Sequence, residues 1–249
     1  MSSMNGRIGI VTGGARGIGA ATSRLLAVDG AGVAVFGLAD DRARAEHVRA
    51  GLDGAASRIS FYEADVGDPA ACRQAVEAVL TDHGRIDFLV NNAGITADRT
   101  VRNMSVDEWL AVLRVNLSGP FYMIKSVIEH MIERGYGRIV NLGSIVGHTG
   151  NFGQANYVSA KAGLVGLTKT VALEVAGHGI TVNCVAPGFT DTELVSAMPE
   201  RARAAAIART PERRLGKPEE IARVIRFLLD DNSSFITGAV YDVNGGGFM

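Results

Sequence analysis

One junction constrains the fold of this chain more than any other. The apolar run Arg7-Ile8-Gly9-Ile10-Val11-Thr12 passes straight into Thr12-Gly13-Gly14-Ala15-Arg16-Gly17-Ile18-Gly19, and a helix-like stretch, Ile18 to Val28, follows. This order predicts a short buried strand, a glycine-rich turn and a helix. Glycines let the backbone turn sharply and approach a diphosphate closely. The helix N-terminus then offers unpaired N–H groups to the anion. The spacing Gly-x-x-x-Gly-x-Gly differs from the commoner Gly-x-Gly-x-x-Gly, and by itself it also fits a tight connection with no ligand.

The strand–helix unit repeats along the chain. Further strands are predicted at Gly32 to Phe36, Ile59 to Glu63, Phe88 to Val90, Ile139 to Leu142, Thr181 to Val185 and Ala239 to Val243. Asp68 reads as an N-cap with Pro69 at the first helical position. Ser105-Val106-Asp107-Glu108 has the capping-box spacing. A helix through Phe121 to Glu133 should end near Gly135, and Gly216-Lys217-Pro218-Glu219-Glu220 should open a late one. Strands alternating with helices indicate an α/β fold: a doubly wound parallel sheet of the Rossmann type with helices on both faces. No linker or long-period repeat divides residues 1–249, so one domain is expected.

Charge and composition exclude several classes of function. Lys and Arg number 25 against 26 Asp and Glu, a net charge of −1 with no single-sign block. A nucleic-acid partner is not expected on that balance, nor with 6% aromatic residues to stack bases. No apolar run reaches ~18 residues, so no membrane span is expected. No basic-then-apolar leader is read at the start. Cys72 and Cys184 form no C-x-x-C pair and read as free thiols in a reducing compartment, which points to the cytoplasm. No metal site is expected.

The chemistry is concentrated in Ser144, Tyr157 and Lys161. A four-residue step on the helix predicted over Asn156 to Leu164 puts Tyr157 and Lys161 on one face, a turn apart. Free tyrosine has a pKa of about 10, and a neighbouring cation lowers it. A phenol tuned by an ammonium, with a serine hydroxyl nearby, suits reduction of a ketone or oxidation of an alcohol. Taken alone, the pair also fits the edge of an amphipathic helix with a snorkelling lysine.

Together these segments resemble the short-chain dehydrogenase/reductase family. The resemblance rests on Thr-Gly-x-x-x-Gly-x-Gly at 12–19, Asn-Asn-Ala-Gly at 91–94, Asn116, Ser144, Tyr157-x-x-x-Lys161 and Pro187-Gly188. It spans nearly the whole chain, in family order and spacing. It implies a Rossmann-type domain, a nicotinamide dinucleotide and a homotetramer. Carried over by position, it implies that Gly13, Arg16, Gly17, Ile18 and Gly19 surround the diphosphate and adenosine ribose, and that Asp65 and Val66 contact adenine. Asn92, Ala93 and Gly94 should support the cofactor. Pro187, Gly188, Thr190 and Thr192 should flank the nicotinamide, with Thr190 standing where relatives usually carry an aliphatic residue. Tyr157 would donate the proton and Ser144 would hydrogen-bond the same substrate oxygen. Lys161 would lower the tyrosine pKa and hold the nicotinamide ribose. Asn116 would interrupt its helix and support a water relay to Lys161.

The family's acidic residue at the end of the second strand falls on Gly37, whereas Arg16 and Arg42 are basic, which predicts NADP(H). The loop Gly150-Asn151-Phe152-Gly153-Gln154-Ala155-Asn156 and the run Arg213-Arg214-Leu215-Gly216 resemble the 3-oxoacyl thioester reductases. Two branches remain open: one acting on acyl carrier protein, the other the acetoacetyl-CoA reductases of polyhydroxyalkanoate synthesis. Leu173 stands where carrier-protein reductases often have a base, and leans toward CoA. Gln154 and Phe189 are candidates for the acyl pocket, although Phe189 also fits ordinary loop packing. His148 reads as a rim residue, and residues 190–210 as a substrate lid. A reductase of sugars, polyols or steroids, a non-catalytic dinucleotide-binding regulator and a structural subunit remain alternatives.

Overall fold

Seven short apolar runs become seven parallel strands in the computed structural model, which describes residues 4–52 and 54–249. In chain order, β1 (Ile8–Thr12) leads to α1 (Gly17–Val28), β2 (Gly32–Gly37) to α2 (Arg42–Ala50), and β3 (Ile59–Glu63) to α3 (Pro69–His83). After β4 (Phe88–Asn91) come α4 (Val106–Leu113) and α5 (Gly119–Arg134). After β5 (Gly137–Leu142) come α6 (Val146–Thr149) and α7 (Ala155–Val175). Then follow β6 (Ile180–Pro187), α8 (Glu193–Ser196), α9 (Glu200–Arg209), α10 (Pro218–Leu228) and β7 (Val240–Val243).

The strand order is β3-β2-β1-β4-β5-β6-β7. It reverses direction between β1 and β4, and in such sheets the crevice beyond the strand carboxyl ends at that reversal is where ligands bind. Strand alternation splits the core into two layers. Val11, Val33 and Val35 pack on one face with Leu26 of α1, Val48 of α2 and Ile225 of α10. Ile10, Ala34 and Phe36 pack on the other with Val76 of α3, Met123 and Val127 of α5 and Val171 of α7. Both faces are covered, which is why the strands read as continuous apolar runs.

The local signals act as their chemistry predicts. Asp68 accepts from the Ala70 N–H at 2.8 Å with Pro69 following. Ser105 and Glu108 close a reciprocal capping box at 3.1 and 2.9 Å. Gly135 ends α5 with φ of 63°. Two segments go beyond the sequence reading. Arginine-rich α2 forms although it buries only Ala45 and Val48. The segment read as a lid contains two helices, α8 and α9.

Candidate active site

The glycine turn is braced from the neighbouring strand. The Thr12 hydroxyl accepts from the backbone N–H groups of Asn92 and Ala93, both at 3.0 Å. The Asn92 amide donates to the carbonyls of Thr12 at 2.9 Å and Gly13 at 3.2 Å. Gly17 opens α1 with φ of 51°, a left-handed conformation that glycine tolerates. A Cβ on Gly19 would collide with the Gly13 carbonyl oxygen, so helix and turn meet backbone to backbone. A Cβ on Gly94 would fall 2.6 Å from the Asn116 side-chain oxygen. Small residues thus leave an uncluttered cradle before the α1 N-terminus, the shape and polarity a diphosphate requires. Ile18 packs on the core beneath it.

Beyond the turn, the adenosine end carries several charges. Gly37 ends β2 without a side chain, and a Cβ there would lie 3.0–3.1 Å from the Asp41 carboxylate arm. Asp41 is buried. Its carboxylate lies 3.3 Å from the Arg16 guanidinium and 3.6 Å from that of Arg44. Arg42 does not join this group: its guanidinium lies over the Phe61 ring at 4.9 Å and 3.9 Å from Glu63. Asp65 accepts from Gly67 N–H and Arg114, both at 2.8 Å, and these contacts hold its carboxyl below the usual range against the opposing effect of burial. Val66 is buried beside it.

Ser144, Tyr157 and Lys161 converge at the carboxyl ends of β5 and β6. Ile145 N–H donates to the Pro187 carbonyl at 2.9 Å, tying the serine loop to the end of β6. Tyr157 and Lys161 lie a turn apart on α7. Burial pushes the Tyr157 phenol up to about 12, the Ser144 hydroxyl beside it pulls the other way, and Asp98 adds to the rise. Lys161 is buried and donates to the Leu142 carbonyl at 2.6 Å. Burial lowers its pKa to about 8. The geometry therefore differs from the expected phenol lowered by lysine. Desolvation dominates both groups, and the ammonium is directed to a backbone carbonyl.

Asn116 sits in a π-helical turn, Arg114–Ser118, between α4 and α5. Its side-chain oxygen accepts from Ile95 N–H at 3.1 Å, and its amide donates to the carbonyls of Ile95 at 2.8 Å and Val112 at 3.0 Å. The helix register is interrupted as expected. The side chain itself anchors the loop after β4.

Two loops form the rim beside Tyr157. Gln154 donates to Asp98 and accepts from Asn151, both at 2.9 Å, and Arg99 N–H donates to the Gly153 carbonyl at 2.7 Å. Asn156 is buried and bonds the carbonyls of Ala97 and Glu108 at 3.0 and 3.2 Å. Neither Asp98 nor Asn156 was singled out from sequence, because nothing in their spacing marks them. Phe189 lines a separate small cavity with Thr210, Glu212 and Ile221, whose lining includes neither Gln154 nor Tyr157. The structure therefore does not join Phe189 to Gln154, and loop packing is its observed role. Gly188 N–H donates to the Val243 carbonyl at 3.0 Å. The Thr190 hydroxyl donates to the Gly188 carbonyl at 3.1 Å, and Thr192 reaches back to within 3.2 Å of where a Gly17 Cβ would stand. The start of the lid thus lies against the glycine turn. His148 stacks on Phe248 at 4.9 Å and lies 3.5 Å from Asp242, anchoring the C-terminal residues.

The arrangement provides a cradle for a diphosphate and, across the crevice, a hydroxyl, a phenol and an ammonium. Residues 13–247 match a family model described as enoyl-(acyl carrier protein) reductase. Full-length relatives fall into two groups by name. A 3-oxoacyl-acyl-carrier-protein reductase FabG of Thermotoga maritima is 44% identical, covering 98% of both chains. The protein of that name in Escherichia coli is 42% identical over 98% of both. An acetoacetyl-CoA reductase of Shinella zoogloeoides is 46% identical over 98% of this chain and 99% of its own.

Proposed function

This chain belongs to the short-chain dehydrogenase/reductase family, and on that premise we propose that it reduces a 3-oxoacyl thioester to the 3-hydroxyacyl thioester with NADPH. The observation that carries the reading is the convergence of Ser144, Tyr157 and Lys161 beside a glycine cradle, in a chain 42–46% identical to reductases named for such thioesters. The dinucleotide, when bound, supplies the hydride. Gly13, Gly17, Gly19, Asn92, Ala93 and Gly94 would hold its diphosphate side, and Pro187, Gly188, Thr190 and Thr192 its nicotinamide side.

The chain's own contribution is polarisation and proton supply. Tyr157 donates its proton to the substrate oxygen as negative charge develops there. A phenol with a pKa of about 12 is protonated at neutral pH, the form a reduction consumes. Ser144 donates to the same oxygen, so donors already point where charge appears. Lys161 is the positive charge behind the phenol and favours proton loss once the oxygen demands it. Asn116 holds the loop over which substrate and cofactor meet, and a water relay toward Lys161 completes the proton path. Gln154, tied to Asp98, lines the acyl side.

NADPH is favoured over NADH because Gly37 offers no carboxylate to the ribose and Arg16 stands exposed beside it. The apolar side chains of Val106, Leu110 and Phe121 stay exposed on α4 and α5 and support assembly of copies, with a homotetramer as our reading. Cys72 and Cys184 are free and buried, and burial raises both thiols to about 11, which suits a reducing cytoplasm. NADPH consumption with acetoacetyl-CoA, a 3-oxoacyl carrier-protein substrate and a panel of sugars, polyols and steroids tests the proposal. Turnover with a thioester is expected. Turnover only with a non-thioester would replace the substrate assignment, and binding without turnover on any of them would leave a regulator.

A further inference from the structure

We propose that Arg44, on the first turn of α2, is the second cation that receives the cofactor's 2′-phosphate, held in place with Arg16 by the buried carboxylate of Asp41. The inference rests on the NADP(H) reading above and names residues for it.

Asp41 is an acidic group four residues beyond the strand end, and its position invites the opposite conclusion, that it accepts a free ribose hydroxyl. Its surroundings argue against that. The side chain is 5% exposed, and one oxygen accepts from Leu38 N–H at 3.3 Å. The other oxygen is buried with no hydrogen bond of good geometry, yet it lies 3.3 Å from Arg16 and 3.6 Å from Arg44. The carboxylate is thus enclosed by two guanidinium groups, and a ribose would meet the arginines first.

Two positive charges share one negative charge, which leaves the cluster with a surplus of one. Both arginines remain about half exposed, at 49% and 46%, with donors free to turn outward. They converge on one atom, so their donors lie close enough to bracket a single phosphate, the geometry in which guanidinium groups bind phosphate well. A cavity of about 470 Å³ opens alongside, lined by Arg16, Arg24, Arg44 and His47, with Glu193 and Glu219 on its far wall. Arg44 also lies 3.8 Å from Glu193 of α8, which joins the adenosine end to the lid. Arg42 carries the same charge two residues away, but it is committed to Phe61 and Glu63.

The test is calorimetric and needs no turnover. Adenosine 2′,5′-bisphosphate and adenosine 5′-phosphate are titrated into the full chain, its Arg44→Gln and Arg44→Lys variants, and Arg42→Gln as control. The wild type should prefer the bisphosphate. Arg44→Gln should weaken bisphosphate binding by about tenfold or more, the scale of one lost charged hydrogen bond, and leave the monophosphate unchanged. Arg44→Lys should retain part of the preference, and Arg42→Gln all of it. A wild type without preference would overturn the NADP(H) reading. A wild-type preference that persists in Arg44→Gln would overturn the role of Arg44 alone. Equal weakening of both ligands would also overturn it, since the effect would then lie in the fold of the adenosine end.

Discussion

Lys161 directs its ammonium to the Leu142 carbonyl at 2.6 Å, with the Tyr157 ring centre 5.5 Å away. A buried cation held this way weakens the fold, because burial lowers its pKa from 10.5 to about 8. The folded chain binds this proton less readily than the unfolded chain. The stability deficit is therefore complete below about pH 8, shrinks as pH rises through the interval, and is gone above 10.5. Lys161→Met should abolish turnover yet raise stability near neutral pH by about 1–3 kcal/mol. Thermal melts at about pH 7 and pH 10 check this, with the gain expected to shrink at the higher pH. A less stable variant at both values would mean that the charge is fully compensated in the fold.

The same lysine predicts a pH profile. If the cation assists Tyr157, kcat/KM for reduction holds below about pH 8 and falls above it as Lys161 loses its proton. Lys161→Arg cannot lose its charge in that range and should shift the fall upward, whatever its absolute rate. An unshifted break would assign it to another group.

Ser144→Ala removes one donor aimed at the developing charge. We expect kcat to fall by about 10²–10³, with little change in cofactor affinity. Fluorescence titration of NADPH, run beside the kinetics, separates the two effects. A loss confined to cofactor affinity would move Ser144 out of the reaction.

Gly19→Ala is a steric test of the cradle. The new methyl meets the Gly13 carbonyl, a rigid backbone atom. A loss of about 1–3 kcal/mol of stability is expected, together with weaker dinucleotide binding. Gly84→Ala probes positive φ alone, because nothing lies within 4 Å of a Cβ there. It should cost stability without touching affinity.

Asn116→Ala removes three hydrogen bonds at a site with no solvent exposure and strands the backbone groups of Ile95. Urea unfolding should show a loss of about 2–4 kcal/mol. A change below about 0.5 kcal/mol would mean that the π-turn holds itself without the side chain.

Much of this was legible in the sequence, because strand runs, glycine turns and caps are local signals. The runs at Ile59 and Ile139 could be nothing but buried strands, and Ser105 with Glu108 announced α4. Helix α2 escaped because its apolar stripe is only Ala45 and Val48 among arginines. The site divided along the same line. Tyr157 and Lys161 share a helix, so spacing alone placed them on one face. The direction of the Lys161 ammonium depends on β5, and that of Arg42 on the ring of Phe61 in β3. Asp41 became a clamp only because α2 folds back under Gly37. Phe189, in turn, went to the cavity under α9, a helix whose polar sequence gave no period to read.

The most direct test of the central claim is NADPH oxidation with acetoacetyl-CoA by the wild type and by Tyr157→Phe. The wild type should consume NADPH and form the 3-hydroxyacyl thioester in equal amounts. The variant should bind NADPH normally and turn over slower by about 10²–10⁴, the scale of a lost general acid. A wild type inert toward every 3-oxoacyl thioester, or a phenylalanine variant with undiminished rate, would contradict the account.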